Sequence, residues 1–419
     1  MEIRISKYND VWLDNGLATF YELLKDIEED ESESLAGLEV TENELIYQVD
    51  NEEAFIEELS DVIKSKIEHM IVMTEDSNTG GKKQVKKDHI LIQEGKKIGG
   101  KVAFKESLFN TSSTGTVVQE IFENLNGDKY QCFFCNRPFK KNIKKIQQAS
   151  YPFVTKIQSL SGIRSGSTIQ LTEYISEYCP QCYLNGIVEW LDDSLVYRNI
   201  PGIKSFLILP KTENLNDLIK LKNSYSGILN NQARWSNLKV DIDHPDIDSP
   251  PGRYSTFMSF YENFLRYVAP EFHHQNWFVI EIPSGTVKNP KYFNIFVDKK
   301  IASTLDLLIR GKSLYFYRTF VKQFYAFHTD PKKGIRDFET ERFLHEQLCE
   351  SIVINDFELF ASCFVPRKGV KPGIPNESYQ ILEKLIFYWR IEPMQIENKE
   401  EYLNTLAMAG STLAGLIGG

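Results

Sequence analysis

Four cysteines in two paired knuckles constrain this chain more than any other feature. Cys132 and Cys135 stand in Tyr-Gln-Cys-Phe-Phe-Cys-Asn-Arg, and Cys179 and Cys182 in Glu-Tyr-Cys-Pro-Gln-Cys-Tyr. Two such pairs supply four thiolates, which complete the tetrahedral shell of zinc and leave no coordination position open for chemistry. The pattern predicts a structural Zn2+ whose loss unfolds the surrounding region. The 43 residues between Cys135 and Cys179 exceed a ribbon spacing, so the metal would staple the ends of an insert at about 130–185. Two other readings of the same residues stay open: buried, unliganded thiols, and an iron–sulfur cluster, which four thiolates also serve. Cys349 and Cys363 are left over and read as buried thiols rather than a disulfide.

At 419 residues with 42% hydrophobic content, the chain can build two or three domains with sizeable cores. Its first residues lack a signal-peptide apolar stretch, and no run of 18 apolar residues occurs, so a cytoplasmic protein without a membrane partner is expected. Reduced thiols are available to metal in that compartment.

The formal charge of −10 hides a strong segregation. Residues 22–61 hold sixteen acidic residues against the single Lys25, whereas residues 80–170 hold sixteen Lys or Arg against six Asp or Glu. Residues 136–170 carry no acid at all. Such a stretch can attract phosphate although the whole molecule is an anion. The basic residues singled out are Lys82, Lys83, Lys86, Lys87, Lys96, Lys97 and Lys101, then Arg137, Lys140, Lys141, Lys144, Lys145 and Arg164. Hydroxyl-rich, acid-free segments at 110–116 and 162–168 accompany them and can offer donors to phosphate. A solvated charged face is the plainer reading of the run.

Periodicity predicts an α+β body over residues 1–300 that carries the zinc insert, and a C-terminal helical bundle over 301–419. Asp14 or Asn15 reads as a cap starting the first helix. Leu38–Val49 reads as a strand or hairpin, and Glu52 to about Ile71 as a helix. Residues 75–116 read as loops around a short strand at Ile90–Ile92, and 203–210 as a strand stopped by Pro210. Helices are expected near 184–191, 214–228, 255–268, 302–327, 337–360, 376–390 and 399–417, and strands at 277–282 and 292–297.

No catalytic constellation emerges. A metal-finger nuclease would place a histidine after the first knuckle, and none lies between the two knuckles. Asp241, Asp243, His244, Asp246 and Asp248 form an acidic loop without the glycine and closing glutamate of a calcium site. His273 and His274 have no acidic partner at metalloprotease spacing, and the phosphate-loop and nucleophile-elbow motifs are missing from the sequence. A non-enzymatic protein is expected. The alternatives are a metal-dependent nuclease or hydrolase using the Asp241–Asp248 loop, and a zinc-stapled adaptor that touches no nucleic acid.

Several segments together resemble a family. Trp12-Leu13-Asp14-Asn15-Gly16-Leu17-Ala18, the knuckle Cys179-Pro180-Gln181-Cys182 running into an apolar segment, Phe206-Leu207-Ile208-Leu209-Pro210 followed by Asn214-Leu215-Asn216-Asp217-Leu218, and the helical C-terminus look like the large subunit of type I CRISPR Cascade complexes. The zinc-binding I-A and I-B variants are the most similar. The resemblance implies a non-catalytic subunit of a crRNA-guided complex acting in antiviral defence. Such a subunit would recognise the protospacer-adjacent motif in double-stranded target DNA, steady the displaced strand and help recruit the helicase-nuclease. Its partners would be the other Cascade subunits, crRNA and target DNA, with sequence reading left to base pairing. The acidic segment 22–61 would face away from the DNA.

Overall fold

An aspartate and a tryptophan set the start of the fold. Asp10 caps helix α1 (Val11–Glu29), its carboxylate accepting from the backbone N–H groups of Trp12 and Leu13, both at 3.0 Å. This satisfies two of the donors that a helix start leaves open. Asp14 and Asn15, read from sequence as caps, lie one turn inside the helix and are buried. Asp14 reaches back to accept from Tyr8 N at 2.7 Å, and Asn15 donates to the carbonyls of Val11 and Pro210.

The computed structural model describes residues 2–30, 34–69, 71–75, 82–86, 114–144, 146, 150–153, 156–157, 169–170, 177–192, 194–200, 204–231, 252–263, 275–283, 291–309 and 338–363. The predicted strand at Ile90–Ile92, the acidic loop at Asp241–Asp248, His273, His274 and the helices expected at 376–390 and 399–417 lie outside these residues. The architecture is mixed α/β. Contacts divide the chain into two compact units, residues 1–242 with 275–294, and residues 243–274 with 295–419.

In the first unit, β1 (Glu2–Ser6), β2 (Leu35–Val40) and β3 (Glu44–Val49) form an antiparallel sheet in the order β1-β3-β2. Ile3 and Ile5 pair with Tyr47 and Leu45, so alternate residues of both strands enter the core. Helix α2 (Glu52–His69) follows. An edge-and-face aromatic chain runs Phe20–Tyr47–Phe55–Phe122, with ring centroids 5.4–5.9 Å apart. Phe122 belongs to α3 (Thr114–Glu123). β4 (Ile71–Glu75) pairs antiparallel with β5 (Lys82–Lys86), a strand inside the segment expected to be loop. β5 is Lys-Lys-Gln-Val-Lys, and with one apolar residue it carries no alternation in its sequence.

The insert contributes β6 (Tyr130–Gln131), β7 (Pro138–Phe139), β8 (Lys156–Ile157), β9 (Ile169–Gln170) and α4 (Pro180–Val188), which ends in a 3-10 turn, Glu189–Leu191. Beyond it, β10 (Val196–Ile200), β11 (Lys204–Lys211), β12 (Asn276–Pro283) and β13 (Lys291–Phe296) form a second sheet in chain order, with α5 (Leu215–Asn231) after β11. Pro210 does not stop β11: it pairs with Trp277, and because β10 extends no further than Ile208, a missing N–H there interrupts no ladder on that side.

The second unit holds α6 (Arg253–Asn263), α7 (Lys299–Ile309), α8 (Phe338–Val353) and α9 (Phe357–Ser362) among its described residues. α8 packs on α6, α7 and α9. The single helix expected over 337–360 is two, because Asn355 adopts a left-handed backbone (φ 58°) and Asp356 caps α9 by accepting from Leu359 N at 2.9 Å. Among the described residues, no helix is long and apolar enough to cross a membrane.

Candidate metal centre

Each cysteine pair is shaped by its own local structure. β6 and β7 form a two-residue hairpin whose turn carries Cys132 and Cys135. Cys132 N donates to Arg137 O and Asn136 N to Cys132 O, each at 3.0 Å, and Asn136 takes the left-handed backbone (φ 55°) that closes such a knuckle. On the other side Cys179 is the N-cap of α4, with Pro180 in the first turn, where a missing N–H disturbs nothing. The Cys179 Sγ accepts from Cys182 N at 3.4 Å, and the Cys132 Sγ from Cys179 N at 3.4 Å.

The two halves meet at the sulfurs. Cys132 Sγ lies 3.7 Å from Cys182 Sγ, Cys135 Sγ lies 3.6 Å from Cys179 Sγ, and all four are within 4.8 Å of one another. Disulfides need about 2.05 Å, and all six cysteines of the chain are free. Thiols this close perturb one another. Hydrogen bonds from Cys135, Cys179 and Cys182 pull the Cys132 thiol well below its usual range, while burial first of all pushes Cys182 well above it. Four thiolates together would repel one another strongly, and a bound cation removes that conflict. The site could hold a single metal ion.

Further bonds tie the knuckles to their surroundings. Phe133 N donates to Glu177 O at 3.0 Å, and Tyr178 N to Asn142 Oδ1 at 3.0 Å. Tyr178, buried, donates its hydroxyl toward Cys182 O (2.8 Å) and Ser150 O (3.2 Å). The Trp12 indole N–H is shared between Ser150 O at 3.0 Å and Gly186 O at 2.9 Å. The opening Trp-Leu-Asp-Asn-Gly segment therefore docks directly on the helix that carries the second knuckle. Sequence reasoning listed both segments and had no signal linking them.

The predicted basic residues divide into groups. Arg137, Lys140, Lys141 and Lys144 follow the first knuckle, and Lys140 and Lys141 are exposed. Lys141 approaches Glu120 at 3.5 Å, an exposed pair of small energetic weight. Arg137 donates to the carbonyl of Arg4. Lys82, Lys83 and Lys86 lie on β5, away in sequence from the knuckle. Lys87, Lys96, Lys97, Lys101, Lys145 and Arg164 lie outside the described residues. Phe133, between the two cysteines of the first knuckle, is 59% exposed and was not singled out from sequence. Phe134 stands between the same two cysteines but packs inward against Tyr151 and Tyr178, and nothing in the sequence tells the two phenylalanines apart.

Cys349 and Cys363 are buried, and burial pushes the Cys349 thiol well up. A second buried polar cluster joins Lys222 of α5 to Glu189 and Asp192, both at 2.8 Å, and to Thr19 Oγ1 and Asn15 O, both at 3.0 Å. It links α1, the 3-10 turn and α5 and reads as a structural tie, since each contact closes on another element of the same core. No protein-family model matches this chain, and no curated protein matches it.

Proposed function

We propose that this protein is a zinc-stapled, non-catalytic nucleic-acid-binding subunit, the large subunit of a crRNA-guided type I CRISPR complex in the cytoplasm. In that role it contacts the protospacer-adjacent motif and the displaced strand of target DNA, and helps recruit the helicase-nuclease in antiviral defence. One observation carries the DNA-binding part: an exposed aromatic, Phe133, stands in the turn of the first knuckle's hairpin, and exposed Lys140 and Lys141 follow directly where that hairpin ends. Aromatic faces that stack on bases, set among cations that follow the backbone, are the shared means of holding unpaired strands.

Zinc suits the donor set. Four thiolates about 2.3 Å from zinc stand about 3.8 Å apart in a regular tetrahedron, against 3.6 and 3.7 Å for the two close pairs here. A multi-iron cluster needs thiolates spread around a larger inorganic body, which sulfurs all within 4.8 Å do not provide. All four ligands come from protein, so the metal's part is to hold the knuckle in place.

The test is DNA binding by the assembled complex over a salt series. Phe133→Ala with Lys140→Glu and Lys141→Glu is expected to weaken target binding and reduce its salt dependence, since each lost phosphate contact lowers the slope by about one. Unchanged binding at moderate salt would sink the assignment. Co-purification of a short RNA with repeat-derived ends would support the complex itself.

A further inference from the structure

The four sulfurs of the metal centre are not equally reachable. Cys132 is 1% exposed and Cys179 and Cys182 are 0% exposed, whereas Cys135 is only partly buried. Cys135 also lines a pocket of about 280 Å³ whose rim carries exposed Arg4, Ser6, Asn9 and Asn136. A water takes about 30 Å³, so a molecule the size of hydrogen peroxide enters this space easily. Cysteine reactivity follows exposure, and fully buried thiols are inert.

Cys135 also has a partner placed to react with it once it is oxidised. Its Sγ stands 3.6 Å from Cys179 Sγ, and the second such contact, Cys132 to Cys182, is 3.7 Å. Both contacts run from the β6–β7 hairpin to α4, so each joins one knuckle to the other. Cys349 and Cys363, each 1% exposed, belong to the other unit and lie outside the four-sulfur cluster.

We infer that Cys135 is a site of modification by hydrogen peroxide, oxidised first and then bridged to Cys179, so that a covalent tie between the hairpin and α4 takes the metal's place. Sulfurs that ligate a metal are already thiolates. The Cys135 thiolate attacks one peroxide oxygen, the O–O bond breaks and hydroxide leaves, which gives a sulfenic acid. The Cys179 thiolate then attacks the Cys135 sulfur, an S–S bond forms, the S–O bond breaks and a second hydroxide leaves. Two thiolates lose two electrons, peroxide gains them, and two solvent protons turn the hydroxides into water. With two of its four ligands consumed, the tetrahedral donor set is gone. Disulfides of this kind in reducing compartments are transient and redox-sensing. The inference rests on the sulfur cluster and is independent of the nucleic-acid reading.

Peroxide titration of the metal-loaded full chain tests it, read by release of the ion to a chromophoric chelator and by mass mapping of disulfides after thiol alkylation. The first bridge is expected to join Cys135 to Cys179 with loss of the bound ion, while Cys349 and Cys363 are recovered as free thiols. In Cys179→Ser, oxidised Cys135 should persist as a sulfenic acid and be captured by dimedone. A dithiol reductant with added metal should restore the starting state. The bridged chain should unfold at a higher midpoint than reduced chain stripped by chelator, because the bridge closes a long loop. A first disulfide within either knuckle, or first oxidation at Cys349 or Cys363, overturns the inference. So does resistance of all six cysteines to a peroxide excess that oxidises the denatured chain. Mapping needs no metal, so a chain that carries no ion yet bridges Cys135 to Cys179 refutes the metal centre and leaves this modification standing.

Discussion

The backbone of Asn185 fills the space that a side chain at Gly16 would need: a Cβ there would lie 2.0 Å from the Asn185 carbonyl oxygen. α1 and α4 cross at this point, one turn beyond the Trp12 hydrogen bonds to Ser150 and Gly186. The Asn185 atoms that obstruct it are all backbone, so relief requires moving a helix. Gly16→Ala is expected to destabilise the first unit by about 1–3 kcal/mol, the usual range for overpacking. Gly37→Ala is its control, since a Cβ there meets nothing within 4 Å. Denaturant unfolding of both variants checks this, and equal stabilities would show that the helices do not hold this close crossing.

Metal content gives a second prediction. Cys132→Ser, Cys135→Ser, Cys179→Ser and Cys182→Ser should each lower the bound metal below one ion per chain and lower the unfolding midpoint. Cys349→Ser and Cys363→Ser should leave metal content unchanged, since neither belongs to the four-sulfur cluster. Elemental mass spectrometry on the purified chain decides the point. Because the Cys179 sulfur also caps α4, its replacement acts on the helix as well as on the metal.

The cysteine spacing alone points to the four-sulfur cluster, because ligand chemistry is local: each pair needs one tight turn, and the turn is written in adjacent residues. Strand and helix positions with strong periodicity, such as Glu52–His69 and Asn276–Pro283, were legible for the same reason. What stayed hidden depends on long-range neighbours. Asp14 looked like a cap because nothing local reveals Lys7 and Tyr8 folding back on it. Nothing local to Gln181 reveals that its Nε2 reaches Asn185 Oδ1, or that Asn185 in turn donates to Tyr8, 177 positions away.

The Lys222 cluster predicts a pH dependence. One buried ammonium faces two carboxylates, and Glu189 is the more deeply buried of them. Burial pushes the Glu189 carboxyl up to about 7, against the pull of Lys222, while burial works to lower the Lys222 pKa and Asp192 and Glu189 together outweigh it, raising it and holding the ammonium charged. A carboxyl whose folded value is raised stabilises the fold fully below its unfolded value of about 4.5, and that contribution is lost as pH rises through 7. Glu189→Gln removes the titration. Its stability relative to the parent should rise between pH 5 and pH 8 by up to about 3 kcal/mol. Parallel pH profiles for the two proteins would refute the assignment. Lys222→Met, which strands the carboxylates, should cost about 3–5 kcal/mol at pH 8.

In the second unit, Glu346 of α8 serves as the cap of a different helix. Its carboxylate accepts from Tyr254 N at 2.7 Å, Ser255 N at 3.1 Å and Ser255 Oγ at 2.6 Å, all in the first turn of α6. Those N–H groups have no partner within their own helix, and the negative charge lies at the positive end of the helix dipole. A Cβ on Gly252 would fall 2.3 Å from the same carboxyl carbon, so the position before α6 must stay bare for the cap to form. Glu346→Ala is expected to cost about 1–3 kcal/mol, and Glu346→Gln less, since the amide oxygen still accepts one bond. Gly252→Ala should lose a comparable amount by displacing the carboxylate. Combining Gly252→Ala with Glu346→Ala should cost less than the sum of the two, because both remove one interaction. Full additivity in that double-mutant cycle would mean that Gly252 is bare for some other reason than to admit Glu346.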